Sequence, residues 1–327
     1  MNKNRLLQLL MAHRGRPVSG QEISGELQVS RTAVWKQIEE LRKNGYEIEA
    51  ASRRGYRLVR FPDRGGTEEI MLHLTTERLG RSIIYNETVA STQEIVREQA
   101  EKGAGEGLIA VANEQVQGRG RLGRSWQSSP EQGIWMSLLL RPQVPPRYAP
   151  QLTLLSAVAL AEALDSYLPE PTAIKWPNDI RIHKKKLAGI LTEMQADMDE
   201  VQTVIVGMGI NVNQADGDFT GELAEKAASL RQYAGARQSR PQIIASILKS
   251  YESWYNEYLT NGFGAVKAAW SAKTDTIGSF IQVETSRQTV EGTAICITDE
   301  GALQVQKTDG SIQTVHSGEI LDGPPPE

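Results

Sequence analysis

One cysteine in 327 residues, Cys296, excludes an internal disulfide and any cysteine-built metal site. A chain so poor in cysteine suits a reducing cytoplasm, and Cys296 is expected to be a small buried apolar residue. No run is long and apolar enough to span a bilayer. The opening MNKNRLLQLLMAHRGRP has a short, interrupted apolar stretch and no small-residue cleavage site, so no secretory leader is expected. No Gly-x-x-x-x-Gly-Lys-Ser/Thr occurs, so any nucleotide site is not a P-loop. Repeats and low-complexity segments are lacking, and 39% hydrophobic with 23% charged residues excludes a disordered chain. The length exceeds one compact core and fits two or three domains.

Negative charge is scarce at one end. Residues 1–60 hold twelve Lys/Arg against six Asp/Glu, a charge of +6, while the remainder holds 24 against 34, a charge of −10. A basic head on an acidic body fits a nucleic-acid-binding appendage, although short basic faces also occur as plain solvated surface.

Three units separate, giving an α+β multidomain chain. The turn-rich Pro62-Asp63-Arg64-Gly65-Gly66 closes the first, residues 1–66. The second, residues 67–275, mixes strands such as Leu108–Asn113 and Ile134–Leu140 with helices expected over Pro150–Leu168 and Pro241–Leu259. The third, residues 276–327, alternates in short stretches (SFIQVET, TVEGTAICIT, ALQVQKT, SIQTVHS). Asp299-Glu300-Gly301 and Asp309-Gly310 separate these stretches, which predicts a small β-barrel.

In the first unit, Ser19-Gly20-Gln21-Glu22 has capping-box spacing and opens a helix ending near Gln28. Ser30 caps a second helix that stops at Gly45. Val34, Ile38 and Leu41 share its buried face, so Thr32, Lys36 and Lys43 point outward, with Arg31 and Trp35 on the flank. Tyr46, Ile48 and Ala50, then Tyr56 and Leu58, alternate with polar residues around Arg53-Arg54-Gly55, which predicts a hairpin with a basic tip. Together these describe a winged helix-turn-helix whose DNA contacts would come from Arg31, Thr32, Trp35, Lys36, Arg53 and Arg54. A three-helix domain for protein contacts is the alternative.

The second unit carries the chemistry. In Gln117-Gly118-Arg119-Gly120-Arg121-Leu122-Gly123-Arg124-Ser125-Trp126, glycines allow close backbone approach and arginines offer forked donors for phosphate or carboxylate. Alone, this run also fits a solvated basic turn or a nucleic-acid-binding Arg-Gly stretch. Lys175-Trp176-Pro177-Asn178-Asp179 ends a strand and offers an amide, a cation for phosphate, and a carboxylate suited to Mg2+ or a ribose hydroxyl. A plain strand-ending turn has the same composition. In Lys184-Lys185-Lys186-Leu187-Ala188-Gly189-Ile190-Leu191, Lys184 and Lys185 are expected at a solvated hairpin tip. Lys186 begins the return strand, and Gly189 leaves room for a ligand. Ser91-Thr92-Gln93-Glu94 opens a helix at capping-box spacing. Gly207-Met208-Gly209-Ile210-Asn211-Val212 ends an apolar strand without the third glycine of a dinucleotide fingerprint.

The order S-T-Q, Q-x-Q-GRGRLGRSW, KWPND, KLAGIL, GMGINV resembles the biotin–protein ligase family, and with the N-terminal reader it resembles the family's bifunctional bacterial ligase–repressors. The resemblance implies a catalytic domain similar to class II aminoacyl-tRNA synthetases and a C-terminal SH3-like barrel. It implies that Ser91, Thr92, Gln93, Gln115, Arg119, Gly120, Arg121, Lys186 and Gly189 surround biotin. Arg119, Arg121, Arg124, Trp126, Lys175, Asn178, Asp179, Lys186 and Asn211 would serve ATP and the adenylate. Lys186, Arg119 and Arg121 would stabilise the reacting phosphoryl group. No metal site is built in, and Mg2+ would arrive with ATP near Asp179. The implied partners are a biotin carboxyl carrier domain, operator DNA, and a second copy of the chain once the adenylate is bound. One departure is Gln93, where the family often has Asn. Lipoate–protein ligase is the enzymatic alternative and shares the catalytic fold, but it is not expected to carry this arginine loop. A ligand-sensing repressor without transfer activity is the other.

Overall fold

Ser19 and Ser30 open their helices as their positions predict. Ser19 Oγ accepts the Glu22 N–H at 3.0 Å and Ser30 Oγ accepts the Ala33 N–H at 3.2 Å. The computed structural model describes residues 3–13, 16–51, 54–60 and 65–321. Its first unit comprises α1 (Lys3–Ala12), α2 (Gly20–Leu27), α3 (Arg31–Lys43), β1 (Glu47–Ala51) and β2 (Gly55–Arg60). Gln28 ends α2 at φ 52°, and Val34, Ile38 and Leu41 are buried. The two strands pair antiparallel. Val18 joins them by reciprocal 2.8 Å bonds with Tyr56, so close to Gly55 that a Cβ there would lie 1.9 Å from the Val18 oxygen. Sequence reasoning did not register α1, whose Leu6, Leu7, Leu9 and Leu10 fill the same core as Ile23, Ile38 and Ile48. A run broken by polar residues is what one buried helical face looks like. Tyr46 Oη donates to Glu69 Oε1 at 3.4 Å, linking this unit to α4 (Thr67–His73).

The middle unit continues with β3 (Ser82–Val89), α5 (Thr92–Glu101), β4 (Leu108–Gln115), β5 (Gly133–Leu140) and α6 (Ala149–Asp165). It goes on through β6 (Ala173–Lys175), β7 (Asp179–Ile182), β8 (Lys185–Ala196) and β9 (Val201–Asn211), then α7 (Leu223–Lys226), α8 (Leu230–Ala234), α9 (Arg240–Asn261) and α10 (Gly264–Lys273). Seven strands form one sheet in the order β3-β4-β5-β9-β8-β7-β6. Only β3 and β4 pair in parallel. Both faces are covered, which is why β5 is buried along its whole length. Period-two alternation sends Ile134, Met136, Leu138 and Leu140 into the main core with α6 and α9. Leu139 turns the other way, to the cluster around Val96 of α5. Ser137 shares that second face.

The third unit is a five-stranded antiparallel sheet in the order β13-β12-β11-β10-β14. Its strands are β10 (Phe280–Glu284), β11 (Thr289–Ile297), β12 (Leu303–Gln306), β13 (Ile312–Val315) and β14 (Glu319–Ile320). Gln151 of α6 pegs it to the middle unit, donating to the Asp299 oxygen at 2.6 Å and accepting from Tyr258 Oη at 2.6 Å. Cys296 departs from its expected burial. It is half-buried, and its Sγ donates to Gln304 Oε1 at 3.1 Å.

Candidate active site

On the α5 face of the sheet, cross-strand partners face the same way, so Ser137 sits opposite Gly207, which itself sits opposite Leu191. One pleat further along, Gly189 sits opposite Gly209. Small residues at these alternate positions hollow out the sheet surface while Met208 and Ile190, pointing oppositely, stay in the core. The result is a cleft of about 1090 Å3. Its lining includes every residue expected around biotin or the nucleotide: Ser91, Thr92, Gln93, Gln115, Arg119, Gly120, Arg121, Arg124, Trp126, Lys175, Asn178, Asp179, Lys186, Gly189 and Asn211.

Trp126 packs against the glycine floor. A Cβ at Gly209 would come within 2.5 Å of its ring, and one at Gly189 within 2.9 Å. Lys186 Nζ stands 5.2 Å from the ring centroid and pairs with Asp179 Oδ1 at 2.7 Å. Each loop arginine is held by oxygen. Arg119 pairs with Glu94 of α5, and Arg124 with Glu319 of β14. Arg121 donates to Asn178 Oδ1 at 3.2 Å and to the Gly318 oxygen at 3.1 Å. Burial pulls the Arg121 guanidinium below its ordinary pKa, against the opposing pull of Asp179 and Glu319. Burial likewise pushes the Asp275 carboxyl up, resisted by Arg181, Lys175 and Lys184.

At the α5 end, Ser91 precedes the helix but its side chain makes no capping bond. Gln93 Nε2 donates to the Leu191 oxygen at 2.8 Å, and its side chain occupies the space over Gly207. Asn178 Nδ2 donates to the Ile190 oxygen at 2.8 Å, so this amide ties the loop to β8. Asn211 Nδ2 reaches the Lys186 oxygen at 3.4 Å. The hairpin tip differs by one residue from expectation. His183 and Lys184 take the left-handed turn conformation, at φ 47° and 64°, and Lys185 already begins β8. Lys184 is exposed yet borders the cleft mouth. Among the described residues, no group of three or more His, Cys, Asp or Glu could hold a metal.

Sequence reasoning missed two contributors. Ser137, buried in the floor, carried one legible signal as the polar residue inside the apolar run WMSLLL. Ser279, Ile281, Glu319, Ile320 and Leu321 of the third unit complete the mouth, and no local pattern announces that. The proposed DNA-contacting residues stand apart from the cleft, on the first unit. Arg31, Thr32, Lys36 and Arg54 are exposed, and Trp35 is 53% exposed. Arg53 lies outside the described residues.

Comparison with known proteins covers all three units. Residues 85–211 match the Biotin/lipoate A/B protein ligase family, residues 2–57 an HTH domain, and residues 276–321 the Biotin protein ligase C terminal domain. The chain is 46% identical over 303 residues to the Bifunctional ligase/repressor BirA of Bacillus subtilis, covering 93% of each. It is 26% identical to the Escherichia coli protein of the same name, covering 92% of each. Among solved structures, the biotin protein ligase of Aquifex aeolicus in complex with biotin and ATP superposes with a TM-score of 0.64 at 28% identity, covering 74% of this chain and 98% of that one. An N-terminal helix-turn-helix, a cleft-bearing mixed sheet and a C-terminal β unit thus match at once, and the chain belongs to the biotin/lipoate A/B protein ligase family.

Proposed function

We propose that this chain activates biotin with ATP, transfers it to a lysine of a biotin carboxyl carrier domain, and uses the adenylate to control its own binding to operator DNA. The observation that carries this reading is the arginine loop folded over a glycine-floored cleft beside Lys186. In the first step a biotin carboxylate oxygen attacks the α-phosphorus of ATP, the α–β P–O bond breaks, and pyrophosphate leaves. In the second, the neutral amine of the acceptor lysine attacks the biotinyl carbonyl. The C–N bond forms as the C–O bond to phosphate breaks, and AMP leaves.

Negative charge grows on phosphoryl oxygens in the first transition state, so a fixed ammonium at Lys186 and guanidinium groups at Arg119 and Arg121 lower its energy. Ser91, Thr92, Gln93 and Gln115 hold the ring end of biotin, with Gly120 and Gly189 giving room. Arg124, Trp126, Lys175, Asn178 and Asn211 hold the nucleotide. Mg2+ would come with the triphosphate. The Asp179 carboxylate, which lines the cleft, suits a metal whose remaining partners are phosphates and water. In this reading the loop exchanges Glu94 and Glu319 for ligand oxygens as it closes, keeping water from the mixed anhydride.

At the finer level, residues 67–275 form the synthetase-like catalytic domain and residues 276–327 an SH3-like barrel, with residues 1–66 as the winged reader. One recognition helix, α3, covers one half-site, so repression calls for a homodimer assembled when the adenylate binds. An enzyme drawing on ATP and DNA works in the cytoplasm. The test is pyrophosphate release with biotin or with lipoate. Release driven by biotin supports the reading, release driven by lipoate makes the chain a lipoate ligase, and release with neither leaves a repressor without transfer activity.

A further inference from the structure

Five polar groups beneath the cleft form a chain whose direction can be worked out proton by proton. Gln115 Oε1 accepts the Thr92 backbone N–H at 2.9 Å, an obligatory donor, which fixes the amide with its nitrogen on the other side. That nitrogen, Nε2, donates to Ser128 Oγ at 3.0 Å. Ser128 in turn donates to the Trp126 oxygen at 3.2 Å. At the other end, Thr92 Oγ1 lies 3.1 Å from Gln115 Oε1 and 2.7 Å from Ser137 Oγ. A carbonyl oxygen can only accept, so the single Thr92 hydroxyl proton goes to Gln115. Ser137 then donates to Thr92. The reverse arrangement would spend the Thr92 proton on Ser137 and strand the Ser137 proton, at 0% exposure, without this acceptor.

We infer that Ser137 is a positioning residue: through this one-way relay it makes Thr92 present a lone pair to the cleft, so that the site selects a ligand ring bearing an N–H donor. The inference rests on the proposed biotin reading and extends it to specificity. With its own proton committed, Thr92 Oγ1 can meet a ligand only as an acceptor, whereas the second hydrogen of Gln115 Nε2 remains a donor. A cyclic urea supplies both complements, an N–H and a carbonyl. A dithiolane ring supplies neither, and would leave these polar atoms unpaired, the kind of mismatch that discriminates strongly. The relay ends on the Trp126 backbone, so the same bonds hold the rim of the arginine loop against the floor that reads the ring.

The test is a double-mutant cycle on the full-length chain, reading biotin binding by calorimetry and biotin KM, ATP KM and kcat by pyrophosphate release. Ser137→Ala is expected to raise biotin Kd and KM by about three- to tenfold, the scale of one ordinary hydrogen bond, with kcat and ATP KM within about twofold. In a Thr92→Val background, Ser137→Ala should add less than about twofold, because the group it orients is gone. An equal loss in both backgrounds, or kcat and ATP KM worsening in step with biotin KM, overturns the inference and leaves Ser137 a packing residue. Calorimetry of the unmutated chain separates the two levels. Binding of lipoate in place of biotin would overturn the biotin reading itself, whereas tight biotin binding with no effect of Ser137→Ala overturns only the relay.

Discussion

Lys184 and Lys186 stand two residues apart on one hairpin, yet their surroundings differ. Lys186 is held between Asp179 and the Trp126 ring on the cleft floor, while Lys184 is exposed at the turn. Removal of a positioned charge should therefore cost more than removal of a nearby one. Lys186→Ala is expected to slow adenylate formation tenfold or more, the scale of one preorganised electrostatic group, with Lys184→Ala changing it little. Rapid-quench measurement of pyrophosphate checks this, and equal losses at both positions would reduce the effect to general charge. Residues of this kind were legible because their chemistry is local: glycines beside arginines, or a lysine opening a strand, sit within one short run of sequence. Ser137 showed only as a polar residue inside an apolar run, and Glu319 not at all, because their roles come from strand register and from a contact between units almost two hundred residues apart in the chain.

Helices and strands follow their sequence cues where caps and alternation agree, as for α2, α3 and the β1–β2 pair, and as for β5, whose register puts Ser137 in the floor. The boundary shifted at β8 because His183, rather than Lys185, took the left-handed turn position with Lys184. Less visible in sequence is how α9 is fastened to the segment before β3. Glu252 accepts the backbone N–H groups of Glu77 and Arg78 at 2.7 Å and of Leu79 at 2.9 Å. Although burial pushes this carboxyl up, those three bonds and Arg78 hold it below its ordinary value. A depressed folded pKa contributes stability that is full above the unfolded pKa and is lost as pH falls through the folded one. Glu252→Gln should thus cost about 1–3 kcal/mol near neutrality, with the difference from wild type shrinking below about pH 4. Urea unfolding across that range measures it, and a difference that stays constant on acidification would contradict the assignment.

Across the whole molecule, the basic first unit touches the acidic remainder through Tyr46 on Glu69. The loop arginines reach two other elements, α5 through Glu94 and β14 through Glu319. An adenylate that draws these arginines inward alters both contacts at once, which gives it differential affinity for two arrangements of the surface, the condition for coupling ligand to assembly. Sedimentation with biotin plus ATP should show a dimer that binds operator more tightly than the unliganded chain. Equal dimerisation and equal operator binding without ligand would make the reader constitutive. Transfer itself is tested by intact-mass spectrometry of a biotin carboxyl carrier domain incubated with the chain, ATP and biotin. The prediction is the added mass of one biotinyl group on the acceptor lysine, dependent on ATP and absent with lipoate, and an acceptor left at its original mass would contradict it.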